Sequence, residues 1–234
     1  PAQMGELEIR EFLMHLVETR KVSAAHRKMH VAAIKFLYQV TLRKPEVVAK
    51  IPWPKVPQGV PEILSGSEVS ALLDAVDSLK HRAVIMTAYG AGLRISEVCN
   101  LQVEDIDSKR NLIRVVQGKG NKDRYTLLAR RFLVELRAYY ASRRPRGPWL
   151  FPGETTEGHI SPESVRRVFV DAVEAAGIQK RVRPHSLRHS FATHLRELGV
   201  DLTVIQALLG HANIKSTAVY LRTTVEKLMK TKSP

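Results

Sequence analysis

The sequence predicts a mainly α-helical protein with a small antiparallel β-sheet, and three observations support this. Amphipathic helical spacing runs through residues 5–42 and returns from about residue 130 onwards. Residues 101–128 change to a β-rich pattern interrupted by turn residues. Four prolines within residues 51–61 exclude a continuous helix there and favour an extended linker. The chain is therefore predicted to form two domains, with residues 1–58 ending in the linker and residues 59–234 following it.

The first domain is predicted to contain two amphipathic helices. Their apolar stripes are Ile9, Phe12, Leu13, Leu16 and Val17 in one, and Ile34, Leu37 and Tyr38 in the other. The second domain is predicted to open with a helix capped by Ser65, because Glu68 stands three residues later in the spacing of a capping box.

Further along, the spacing predicts a helix around residues 80–100 and a hairpin with strands near residues 112–116 and 125–128. A later helix presents Leu187, Phe191, Leu195 and Leu198 on one face. Residues suited to helix ends then follow in order, namely Gly199, Asp201, Gly210 and Ser216. The last of these is predicted to cap a final helix that contains Tyr220.

The charge of the chain favours a polyanionic partner. Lys and Arg number 37 against 23 acidic residues, which gives a formal net charge of +14 and a pI near 10.1. Charge by itself does not choose between DNA, RNA, an acidic membrane surface and simple solubility.

Other features of the whole chain limit the kinds of site it can contain and the compartment in which we expect it. The single cysteine, Cys99, excludes an internal disulfide and a cysteine-based zinc cluster, and its apolar context predicts a buried side chain. No stretch approaches the roughly 18 apolar residues of a membrane span, and no signal peptide is visible. We therefore expect a cytoplasmic protein. The given sequence starts at Pro1 rather than at Met.

Four short motifs occur in an order and spacing that are far more specific than any one of them. They are Gly92-Leu-Arg94-Ile-Ser-Glu97, then Gly118-Lys119-Gly120, then His185-Ser-Leu-Arg188-His189, and last Leu209-Gly-His211 with Tyr220 nine residues on. From about residue 60 to 222, the sequence resembles the tyrosine recombinase, or phage integrase, family. The resemblance implies a catalytic domain that breaks and rejoins DNA through a covalent phosphotyrosine bond.

The resemblance also implies a role for each motif residue. Arg94 and Arg188 match the positions that stabilise charge on the scissile phosphate, and a guanidinium suits this because its fork fits two oxygens. His211 matches the position that adds a hydrogen bond to the phosphate. His185 matches the position that assists proton transfer at the nucleophile, which is Tyr220.

Lys119 matches the general acid that protonates the leaving 5′ oxygen. A phenol has a pKa near 10, so activating Tyr220 at neutral pH must offset about 4 kcal/mol. Glu97 stands three residues after Arg94 and is interpreted as the group that orients an active-site side chain. No metal or other cofactor is expected, because two arginines and a lysine supply the positive charge.

Several of these residues have simpler interpretations when taken singly. Arg94 alone would be a surface ion-pair partner, Lys119 a turn lysine and Tyr220 a half-buried aromatic residue. His185 and His189 have i, i+4 spacing, but the intervening residues do not match a His-Glu-x-x-His metal motif. We therefore expect His189 and His194 to be structural.

Two basic runs bracket these motifs. Residues 107–131 hold eight Lys or Arg against two Asp, and residues 165–196 hold seven against one Asp and one Glu. Such runs are often only solvated faces, but their position here favours contact with DNA phosphates.

Two rival functions stay open at this point. Residues 195–221 alternate helical segments with glycines and could form a helix-turn-helix of a non-catalytic DNA-binding protein. A topoisomerase-like enzyme would use the same tyrosine chemistry. Covalent adducts exclude the first rival, and strand transfer between two DNA sites excludes the second.

The resemblance is weaker before the linker. Family members usually carry a helical DNA-clamping domain of four or more helices there, whereas this sequence indicates about two. Either the chain is a truncated fragment or its clamp is reduced. The family resemblance as a whole implies a double-stranded DNA partner and a homo-tetramer on paired DNA sites. No large insertion is expected between Arg131 and Pro162.

Overall fold

The structure is a computed structural model that describes residues 4–57, 61–116, 123–154 and 158–210. The chain divides into two compact units, Pro1–Gly59 and Val60–Pro234. Within the described ranges, no helix combines the length and the apolar character needed to cross a membrane.

The first unit is a small helical domain. Its helices are α1 (Glu6–Glu18), α2 (Ala24–Phe36), which continues as a π-helical turn (Leu37–Thr41), and α3 (Glu46–Ala49). The two predicted helices are confirmed, whereas α3 was not predicted because it is one turn long. Its Val48 is completely buried and completes a core formed with Ile9, Val31, Tyr38 and Ile51.

The second unit contains the remaining helices and the sheet. Its described helices are α4 (Gly66–Asp74), α5 (Leu79–Gly90), α6 (Ile95–Cys99), α7 (Arg130–Arg143), α8 (Pro162–Ala175), α9 (Pro184–Glu197) and α10 (Leu202–Leu209). The predicted capping box starts α4, since Ser65 Oγ accepts from the Glu68 amide at 3.2 Å and Glu68 Oε2 accepts from the Ser65 amide at 2.7 Å. Helix α5 lies in the middle and contacts α6, α7, α8 and α9.

The single helix predicted around residues 80–100 is wrong, because the structure has two helices there, α5 and α6. The chain leaves α5 after Gly90 and turns at Gly92, whose φ is +61°, before α6 begins at Ile95. This left-handed conformation suits glycine. A Cβ on Gly92 would also lie 2.3 Å from Phe191 Cδ1 of α9, so the turn requires a residue without a side chain at this position.

The predicted antiparallel sheet is confirmed, with one additional strand. Strands β1 (Ile106–Asp107), β2 (Leu112–Val115) and β3 (Arg124–Leu127) pair in that order. The missed β1 has two residues, too few for a periodic signal. In β3 the apolar pattern predicts the wrong buried face, because Tyr125 and Leu127 are exposed while the polar Thr126 is buried. The Thr126 hydroxyl donates to the Ala91 carbonyl at 2.8 Å.

The predicted ends of α9 and α10 are confirmed. Gly199 and Gly210 adopt positive φ after the two helices, and Asp201 Oδ1 accepts from the Thr203 amide at 2.7 Å. Leu198, in contrast, was placed on the apolar face of α9 but is 80% exposed. The predicted cap Ser216 and the helix containing Tyr220 lie outside the described residues.

Cys99 is fully buried in the core of the second unit, as predicted. Burial raises the pKa of its thiol to about 11. The thiol is therefore neutral at neutral pH, and the side chain serves as a small apolar residue.

The turn at Gly92 generates a prediction for stability. Gly92→Ala should lower the free energy of unfolding by about 2–5 kcal/mol, because it combines left-handed backbone strain with overpacking against Phe191. Gly177→Ala is the matched control, since Gly177 has a φ of +66° but open space where a Cβ would stand. It should cost only about 1–2 kcal/mol. Urea unfolding measures both, and equal losses would contradict the packing argument.

Candidate active site

Arg94 stands at the start of α6, at the end of the turn made by Gly92. Its backbone is extended and its side chain is 25% exposed. The Arg94 amide donates to Glu97 Oε2 at 2.9 Å, and its guanidinium Nη1 lies 2.5 Å from Glu97 Oε1. Arg94 is therefore the N-cap of α6, and Glu97 contacts it from the first turn of that helix. The two residues do not lie one turn apart within a continuous helix.

Arg188 lies on α9 and is 1% exposed. Its guanidinium donates to the carbonyl of Gly92 at 2.8 Å and to the carbonyl of Leu209, the last residue of α10. Its Nη1 lies 3.7 Å from Glu97 Oε2. One buried arginine therefore ties α9 to the Gly92 turn and to the end of α10.

Glu97 is the carboxylate shared by these groups, and its side chain is 8% exposed. Burial alone raises its pKa, but hydrogen bonds from the Arg124 side chain and the Arg94 amide outweigh this and lower the pKa to about 2. Glu97 is consequently an anion at neutral pH.

Arg124 is the member of this cluster that the sequence analysis missed. It opens β3 and makes two hydrogen bonds to Glu97, Nη1 to Oε1 at 3.0 Å and Nη2 to Oε2 at 2.8 Å. The sequence analysis counted it within a basic run. Strand alternation could have singled it out, because Arg124 and Thr126 share the inward face of β3.

His185 lies in the first turn of α9 and is exposed. Partial removal from water lowers its pKa, and the positive charges of Arg188 and then Arg94 lower it further. Its ring meets that of His189 edge-on, with centroids 4.7 Å apart. The pKa of His189 is lowered to about 4, chiefly by burial, so both rings are neutral at neutral pH.

Of the predicted site residues, the structure brings together three. Arg94 and Arg188 share the Glu97 carboxylate, and His185 stands one turn before Arg188 on α9. The other three, Lys119, His211 and Tyr220, lie outside the described residues. Across the described ranges, no group of three or more His, Cys, Asp or Glu side chains could hold a metal ion.

The two basic runs are only partly exposed to solvent. In the first, Arg114 pairs with Asp105 and Glu104, each at 3.0 Å, and Arg124 is 10% exposed. In the second, Lys180 lies 2.6 Å from Glu68, and Arg188 is buried. Some of the positive charge therefore serves to hold the domain together.

Comparisons with known proteins agree with this architecture. Residues 62–227 match the phage integrase family, and residues 1–46 match the N-terminal SAM-like domain of phage integrases. The chain is 43% identical over 235 residues to a candidate integrase/recombinase of Sinorhizobium fredii, covering 100% of this chain and 76% of the relative. It is 34% identical over 223 residues to the tyrosine recombinase XerA of Pyrococcus horikoshii, covering 94% and 77%.

Solved structures show the same fold. A crystal structure of XerA recombinase aligns with a TM-score of 0.67 and 28% identity, covering 98% of this chain and 83% of that one. XerH recombinase bound to palindromic difH substrate aligns with a TM-score of 0.80 and 23% identity, covering 97% and 71%.

The chain therefore belongs to the phage integrase family. Within it, the relatives define the enzyme type as a tyrosine recombinase, an enzyme of site-specific DNA recombination. The non-catalytic DNA-binding protein considered from the sequence is thereby set aside.

The Glu97 cluster generates the second prediction. Glu97→Gln should lower the free energy of unfolding by about 3 kcal/mol or more, because it leaves the charges of Arg124 and Arg188 without their buried counter-ion. The matched control is Glu104→Gln, which removes the 70% exposed partner of Arg114. That change should cost no more than about 1 kcal/mol. Chemical unfolding of both variants checks the difference, and similar losses would show that the cluster is not a source of stability.

Proposed function

We propose that this recombinase cuts DNA by attack of Tyr220 on a phosphodiester, which leaves the protein joined to a 3′ phosphate. One observation carries the proposal: Arg94 and Arg188 come from distant parts of the chain and share the Glu97 carboxylate. Attack on phosphorus adds negative charge to the non-bridging oxygens. A guanidinium stays charged and offers two donors to such oxygens, so two of them together suit this reaction.

The two arginines differ in access. Arg94 is 25% exposed and can meet a phosphate directly. Arg188 is 1% exposed and donates to the carbonyls of Gly92 and Leu209. Direct contact with DNA therefore requires the buried side chain of Arg188 to become accessible. If it stays buried, its charge acts on the phosphate from inside the fold.

The proton transfers balance within the chain. The Tyr220 oxygen bonds to phosphorus as the bond to the 5′ oxygen breaks, the phenol proton passes to His185, and Lys119 donates a proton to the leaving oxygen. His185 suits its role because its lowered pKa keeps the ring neutral and able to accept a proton. His211 adds a hydrogen bond to the phosphate. Attack by another strand's 5′ hydroxyl reverses these steps and needs no cofactor.

Recombination also indicates the assembly. Exchange of both strands of two duplexes requires four nucleophiles, and each chain supplies one Tyr220. We therefore propose a homo-tetramer on paired double-stranded DNA sites, acting in the cytoplasm. Strand-transfer products between two sites distinguish this activity from a topoisomerase that relaxes a single duplex.

The nucleophile assignment generates the third prediction. Tyr220→Phe should abolish the covalent protein–DNA adduct while leaving DNA affinity nearly unchanged, because only the attacking hydroxyl is lost. Denaturing gels detect the adduct and mobility shifts report the affinity. Tyr140→Phe, which removes a hydroxyl from an exposed tyrosine of α7, is the control and should retain the adduct. An adduct that persists in Tyr220→Phe would refute the assignment.

The acid assignment generates the fourth prediction. Lys119→Ala should slow cleavage of normal DNA by about 10²–10⁴-fold. A substrate with sulfur at the bridging 5′ position has a leaving group that needs no proton. The variant should therefore cleave the sulfur substrate at nearly the parent rate in single-turnover assays.

Three variants act as controls for this experiment. Arg188→Ala should not be rescued by sulfur, because its charge stabilises the non-bridging oxygens. Rescue of Lys122→Ala but not of Lys119→Ala would identify the neighbouring lysine as the acid. If neither lysine variant is rescued, His185→Ala is the next to be tested.

A further inference from the structure

Arg124 is an arginine whose burial the catalytic scheme leaves unexplained. Its side chain is 10% exposed, although the next residue, Tyr125, is 56% exposed on the outer face of the sheet. Arginine is almost never buried unless it is paired. Its position therefore depends on the groups that it contacts, and these lie far away in the sequence.

The guanidinium of Arg124 joins three elements. Its two terminal nitrogens bind both oxygens of Glu97 on α6, and its Nε donates to the carbonyl of Leu208 in α10 at 2.9 Å. All three nitrogens of the guanidinium therefore donate hydrogen bonds in this arrangement. A lysine ammonium, as a single point charge, cannot reproduce that geometry.

The stem of Arg124 also lies against Gly210. A Cβ at Gly210 would stand 2.7 Å from Arg124 Cδ, and Gly210 has a φ of +63°. Gly210 directly precedes His211, and Arg124 follows Lys119 by five residues. Arg124 therefore contacts the residue next to His211 and anchors the strand that begins five residues after Lys119. Thr126 fixes the same strand to the Ala91 carbonyl.

We propose that Arg124 is a positioning residue of the recombination reaction. By binding Glu97, it fixes the position of Lys119 relative to Arg94 and Arg188. This inference rests on the proposed function, since it takes Lys119 as the acid. Arg124 itself does not touch DNA in this scheme. Its task is to hold the start of β3 to the carboxylate that also holds Arg94 and Arg188.

Two other roles would give different results. As a phosphate contact, Arg124 would contribute to DNA affinity and to its salt dependence. As a purely structural residue, it would affect the amount of folded enzyme but not the chemistry of the folded fraction. The ratio of single-turnover rates on sulfur and normal substrates separates these cases, because both rates come from one preparation and the folded fraction cancels.

Arg124→Lys is the test variant. Misplacement of an acid by about 1 Å can cost about 10²-fold in rate, and the sulfur substrate does not need the acid. We expect the sulfur-to-normal ratio to rise about tenfold or more, with unchanged DNA affinity and salt dependence. Arg114→Lys is the matched control, because Arg114 is also a sheet arginine with two acidic partners. Its ratio should equal that of the parent.

Lys119→Ala, measured alongside, separates the failure of this inference from that of the proposed function. If Lys119→Ala raises the ratio and Arg124→Lys does not, the positioning role is wrong and the acid assignment stands. If neither raises it, the acid assignment fails and the positioning role fails with it. A salt slope of DNA binding that becomes shallower by about 0.9 in Arg124→Gln, which removes the positive charge, would make Arg124 a phosphate contact and overturn the inference.

Discussion

The second unit depends on one buried carboxylate. Glu97 is contacted by Arg94 from its own helix end and by Arg124 from the sheet, and it lies 3.7 Å from Arg188 of α9. Burying these charges is costly unless each is matched, and the shared carboxylate together with backbone carbonyls supplies the match. The elements that carry the proposed chemistry are thus held to one another by the same interactions that satisfy their charges.

Two glycines make this arrangement possible. Gly92 allows Phe191 to pack where a side chain would otherwise stand, and Gly210 allows the stem of Arg124 to do the same. Both have positive φ, a backbone conformation that suits glycine. Close packing against Phe191 and against the stem of Arg124 therefore explains these two glycines, independently of any contact with DNA.

The sequence predicted the fold class, the capping of α4 and the ends of α9 and α10, because these depend on local spacing and on residues that suit helix ends. It failed where tertiary packing decides. The break at Gly92 depends on Phe191, almost a hundred residues away, and Thr126 is buried because it reaches the Ala91 carbonyl. The motifs indicated Arg94, His185 and Arg188, but Arg124 was hidden in a basic run, since its partners are distant in sequence.

The composition of the Glu97 cluster has an electrostatic consequence. Among the described residues, it brings three guanidinium groups to one carboxylate, so these four groups together have a net charge of +2. A phosphodiester carries one negative charge, whereas the five-coordinate phosphorus formed on nucleophilic attack carries two. The charge of the cluster therefore matches the five-coordinate phosphorus better than it matches the bound phosphodiester. Stronger stabilisation of the transition state than of the substrate makes the reaction faster rather than the binding tighter.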